Sequence, residues 1–86
     1  MNKNVKCVIS GIDSNGESNF HFLIVQIAEE KLTDEDMYNE TKEKIEKYVS
    51  DTYGYERCVC FFKGDTNSRC INFNVFKYNT SDIVPF

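Results

Sequence analysis

The chain has 86 residues, 41% of them hydrophobic and 28% charged, with a formal net charge of −4 and a pI near 4.9. That balance describes one folded domain spanning residues 1–86, with a single modest core and no second one. The acidity excludes the cation-driven affinity of a non-specific nucleic-acid binder and favours basic partners.

Residues 4–10, NVKCVIS, alternate and carry β-branched residues, which predicts a strand. GIDSNGESN, residues 11–19, is turn chemistry, and FHFLIVQI, residues 20–27, predicts a second strand. Residues 33–53 predict a helix. Thr33 is placed to cap it, Asp34, Glu35 and Asp36 fill the first turn, and Leu32 with Met37 form a hydrophobic staple. At 100° per residue Met37, Tyr38, Thr41, Ile45, Tyr48, Val49 and Thr52 share one stripe. Asp36, Glu40, Glu43, Lys47 and Asp51 lie opposite, and Gly54 is positioned to end the helix.

ERCVCFFK and RCINFNVFKY, residues 56–63 and 69–78, alternate around GDTNS and predict a second hairpin. The tail NTSDIVPF adds a short edge strand or docks through Ile83, Val84 and Phe86. The expected fold is therefore α+β, ββαββ, with one helix packed on one face of a four-stranded sheet. This element order resembles that of β-grasp domains.

Three of the four cysteines stand in ERCVCFFKGDTNSRC, residues 56–70. The N-terminal MNKNVKCVIS lacks the apolar segment of a secretory signal, so a cytoplasmic location and reduced thiols are expected. On that ground Asn39-Glu40-Thr41 and Asn79-Thr80-Ser81 read as chance glycosylation triplets. A zinc site drawing on Cys7, Cys58, Cys60, Cys70 and His21 is the minor alternative. A Cys-x-Cys pair on a strand spreads its sulfurs roughly 7 Å apart, against the ~2.3 Å each needs to reach zinc. The expectation is that no metal and no cofactor is bound, and that the cysteines act as small hydrophobes.

Alternation puts Cys58, Cys60 and Phe62 on one face of their strand, and Val59 and Phe61 on the other. One helix covers one sheet face, so a second, partly apolar face is left to be covered. A homodimer or a partner surface, through Cys58, Cys60, Phe62 and Cys70, is favoured over cover by the tail. A lone histidine, no recognisable nucleophile–base spacing and no phosphate-cradling glycines argue against an enzyme.

Glu29 to Glu46 holds eight carboxylates against three lysines. As a negative surface it would dock into a basic groove, with Glu29, Glu30, Asp34, Glu35, Asp36, Glu40 and Glu43 standing in for phosphates. SGIDSNGESNFHFLIV, residues 10–25, is similar to the first hairpin of a Cas9-inhibiting anti-CRISPR family, through Ser10, Gly11, Asp13, Ser14, Asn15 and the aliphatic return strand. The resemblance covers under a fifth of the chain. It implies a phage or mobile-element protein that occupies the nucleic-acid-binding surface of a bacterial defence effector. No individual contact residue is carried over. Three readings stand open: this inhibitor, a dimerising assembly module, and a small zinc protein.

Overall fold

The computed structural model describes residues 1–78 and 83–86. The Asn79-Thr80-Ser81 triplet lies outside them. The order is β1 (Asn2–Ile12), β2 (Ser18–Ala28), α1 (Glu30–Thr33), α2 (Glu35–Tyr53), β3 (Arg57–Phe62) and β4 (Ile83–Pro85). This is the expected ββαββ arrangement, a four-stranded sheet with one main helix. Its strand order is β3-β1-β2-β4.

β1 and β2 form an antiparallel hairpin, 11 residues to a strand, in which Cys7 faces Leu23 and Ile9 faces His21. The turn is tighter than the composition of residues 11–19 suggested. Asp13 Oδ1 accepts the backbone N–H groups of Asn15 and Glu17 at 2.9 and 3.0 Å. Gly16 supplies the left-handed φ of 80°. This local bonding confines the turn to residues 13–17, so Gly11, Ile12, Ser18 and Asn19 join the ladder.

α2 begins one residue later than the capping pattern suggested. Thr33 ends the one-turn helix α1, and Asp34, extended at φ −91° and ψ 121°, caps α2. Its Oδ1 accepts the N–H groups of Asp36 and Met37 at 3.0 and 3.2 Å. Gly54, at φ 75°, closes the other end.

The second hairpin does not form. β3 pairs antiparallel with β1, but residues 69–78 make no strand; they include a single 3-10 turn, Phe73–Val75. The fourth strand is the tail, β4, running parallel to β2 from Ile24↔Ile83 to Gln26↔Pro85. β3 and β4 thus lie at opposite edges, and the likeness to the β-grasp extends no further than element order.

The core lies between α2 and the sheet. Cys7, Ile9, Leu23, Val25, Ile27, Cys60 and Phe62 meet Ile45 and Val49, with Tyr38, Tyr55 and Phe86 packed at its margin. The expected dimer face is corrected here. Cys60 and Phe62 are 1% and 2% exposed beneath α2, Cys58 is half-buried, and Cys70 is exposed beyond the sheet. Alternation along β3 holds, but the helix takes the thiol face.

The other face is covered in large part by this chain itself. The Phe76 ring stacks on Phe22 at 4.2 Å, and Tyr78 meets Phe22 edge-on at 6.3 Å. Lys6 Nζ lies 5.0 Å over the Tyr78 ring. Val8 and Phe73 are buried. A second copy is not needed to dry this surface. Phe20 and Val59, both level with Ser10, remain open.

Candidate functional site

Helical spacing leaves Asp36, Glu40, Glu43, Lys47 and Asp51 on the outer face of α2, all exposed, while Thr41, Ile45 and Val49 are buried. Asp36 to Asp51 spans about 22 Å at ~1.5 Å per residue. The carboxylates therefore form a ridge held rigid by the core beneath it.

The seven predicted contact residues fall into three groups. Glu35, Asp36 and Glu43 are exposed at the helix surface. Glu29, Glu30 and Glu40 meet cations of the same chain: Lys3 at 3.5 Å, the terminal ammonium of Met1 at 3.7 Å, and Lys44 at 3.3 Å. These pairs are solvent-exposed, and such pairs are worth roughly 0–1 kcal/mol, so an incoming cation competes with them easily. Asp34 is committed to its cap and leaves the set as a contact. The segment is thus split, with Glu29 and Glu30 beside the start of β1 and the rest along α2.

One acidic residue outside that set matters to the architecture. Glu46 Oε1 accepts the backbone N–H of Cys60 at 3.4 Å, reaching from α2 over the edge of β3. Its spacing from Tyr38 and Lys42, eight and four residues back, is the signal that it shares their side of the helix. Lys42 pairs with Asp65 at 3.2 Å, and the Tyr38 hydroxyl donates to the same Asp65 oxygen at 2.8 Å. Burial, reinforced by Asp65, raises the Tyr38 pKa well above its usual range. This cluster fixes the loop after β3 to the start of α2.

The cysteines form no common site. Cys7 Sγ donates to the Leu23 carbonyl at 3.6 Å, and all four thiols are free. Contact with Cys7, together with burial, holds the Cys60 thiol protonated. The Cys58 thiol is pushed up to about 11 by burial and the Glu46 charge. Among the described residues no three His, Cys, Asp or Glu side chains stand close enough to hold a metal. Cys7 and Cys60 are buried on one sheet face, Cys58 is half-buried and Cys70 is exposed on the segment after β3. His21 is turned to other company. It stacks on Tyr53 at 4.1 Å and a ring nitrogen contacts the Tyr55 hydroxyl.

Two open clefts of about 300 Å³ flank Lys63. One is lined by Val5, Leu32, Tyr38 and Phe62, the other by the loop running from Gly64 to Asn74. Among the described residues no helix is long and apolar enough to cross a membrane. Comparison with family models, curated proteins and solved structures finds no match.

Proposed function

We propose that the chain is a stoichiometric protein-binding module that presents the outer face of α2 to a basic, nucleic-acid-binding surface, in the manner of an anti-CRISPR inhibitor. The observation that carries this reading is the exposed ridge of Asp36, Glu40, Glu43 and Asp51, seated on a helix whose opposite stripe is locked into the core. A rigid row of carboxylates offers a cationic groove the charge it evolved to grip, without the ordering cost of a flexible tail. Electrostatic attraction also speeds encounter, so partner capture falls as salt rises. The anti-CRISPR likeness of residues 10–25 supplies the class of target.

The test is a target-cleavage assay with an RNA-guided DNA nuclease of the Cas9 kind, run with increasing inhibitor. Wild-type protein is expected to titrate cleavage near one equivalent, and the D36K/E40K/E43K variant, folded by circular dichroism, to lose that effect. Inhibition that survives the triple reversal refutes the role of the helix face. No inhibition by wild type refutes the Cas9-directed reading.

A further inference from the structure

β3 is an edge strand, and among the described residues no strand pairs with its outer side. Two hydrogen bonds fix which backbone groups face outward. Lys63 N–H donates to the Lys6 carbonyl at 2.9 Å, so the odd-numbered amides turn toward β1. Cys60 N–H points the opposite way, to Glu46, and by the two-residue repeat Cys58 and Phe62 N–H follow it. The Phe62 carbonyl is taken by Asp65 N–H at 3.1 Å, which leaves the Cys58 and Cys60 carbonyls on this edge. On the flank, Val59 is 49% exposed and Phe61 is half-buried.

An unpaired, apolar edge is a template for another strand, and proteins guard such edges with charge. Here the guard is Glu46, whose bond to Cys60 N–H is long at 3.4 Å and so readily exchanged. The guard also selects the occupant. A second copy pairing antiparallel along β3 would bring two Glu46 carboxylates to one seam between two chains of net charge −4. Pairing centred on Cys60 would also set Arg57 against Lys63 of the other copy. A segment carrying lysine or arginine avoids the Glu46–Glu46 repulsion, provided its cation stands level with Glu46 and not opposite Arg57 or Lys63. Its cation draws Glu46 away, and its carbonyl takes the Cys60 amide.

We infer that the outer edge of β3 is a strand-addition site for an extended, lysine- or arginine-bearing segment of a protein partner, with Glu46 as the exchangeable gate. This rests on the reading of a basic partner given above and adds where that partner's backbone runs. Main-chain bonds to Cys58, Cys60 and Phe62 supply affinity, while Glu46 and the Val59 flank supply selectivity.

The experiment is an NMR titration of the ¹⁵N-labelled chain with the peptide acetyl-Lys-Val-Lys-Val-Lys-Val-amide at low salt. Two control peptides accompany it, one with every internal amide N-methylated and one with Glu in place of each Lys. The expected result is shifts confined to residues 57–63 and Glu46, with amide exchange at Cys58 and Phe62 slowed at least tenfold. N-methylation and Lys-to-Glu replacement should each weaken binding at least tenfold, and Glu46→Gln should weaken it severalfold. Equal binding of the N-methylated peptide overturns the inference, as does absence of binding. Shifts confined to Asp36, Glu40 and Glu43 also overturn it, yet leave the acidic-ridge reading standing. The charge-reversal assay tests that reading on its own, since none of its three substitutions touches β3.

Discussion

Replacing Gly11 by alanine is a sharp test of how α2 is joined to the sheet. Gly11 lies in β1, and the Tyr55 ring is packed directly upon it. A Cβ added there would sit 2.3 Å from Tyr55 Cδ2 and 2.6 and 2.7 Å from two more ring carbons. Ordinary contact begins near 3.4 Å, so the ring must retreat by about 1.1 Å. It has little freedom to do so. Tyr55 N–H donates to the Ser50 carbonyl at 3.1 Å, Ser50 Oγ donates to the Tyr55 carbonyl at 2.6 Å, and the Tyr55 hydroxyl meets His21.

Overpacking of this kind costs about 1–3 kcal/mol. At ~4–8 °C per kcal/mol for a domain of this size, the G11A melting temperature is expected to fall by roughly 5–20 °C. The sign is informative, because glycine-to-alanine in a strand interior, without a clash, gains roughly 0.5–1 kcal/mol. Thermal and urea unfolding of wild type, G11A, Y55A and G11A/Y55A complete the test. With the ring removed, the alanine should be neutral or stabilising. Equal cost of G11A in both backgrounds would refute the packing argument.

Two further outcomes follow from the titratable groups. Burial lowers the His21 pKa below its usual 6.5, so the folded state binds that proton less readily than the unfolded chain. Its contribution is intact above about pH 6.5 and is lost as pH falls through the folded-state pKa. The melting temperature of wild type should therefore drop more steeply between pH 7.5 and 5 than that of His21→Gln; parallel curves would contradict this. Native alkylation with iodoacetamide, mapped by mass spectrometry, should label exposed Cys70 first and Cys58 slowly, its thiol standing at about 11. Cys7 and Cys60 should react only after unfolding, and early labelling of either would contradict their burial.

Local chemistry was legible in the sequence wherever a short-range pattern decided the outcome. Of the apolar stripe of α2, Thr41, Ile45 and Val49 are buried and Tyr38 is half-buried, while Met37, Tyr48 and Thr52 stay exposed, and Gly54 marks the helix end. The alternation of β3 was equally clear, but alternation states only that Cys60 and Val59 face apart. Which of them meets the helix depends on the strand's partner. The expected hairpin failed for the same reason. RCINFNVFKY alternates like a strand, yet Asn72 accepts the Asn74 N–H at 3.1 Å and turns the segment locally. Phe73 is then buried and Phe76 reaches Phe22, on the sheet face turned away from α2 and from the Cys58–Cys60–Phe62 row. For the acidic site, exposure followed from helical spacing. The use of Asp34 as a cap and of Glu46 over β3 required the positions of their neighbours.

The sheet order β3-β1-β2-β4 bears on how the molecule assembles. Its two middle strands are consecutive in the chain and meet through a five-residue turn, so the centre closes with little loss of chain entropy. Each margin then zips onto an existing ladder, the longer one through six pairs and the shorter through three. The three-pair margin is expected to open and reclose repeatedly while the centre stays shut. Slow hydrogen exchange should therefore be concentrated in the middle strands, with earlier deuteration at the Ile83 and Val84 amides of β4.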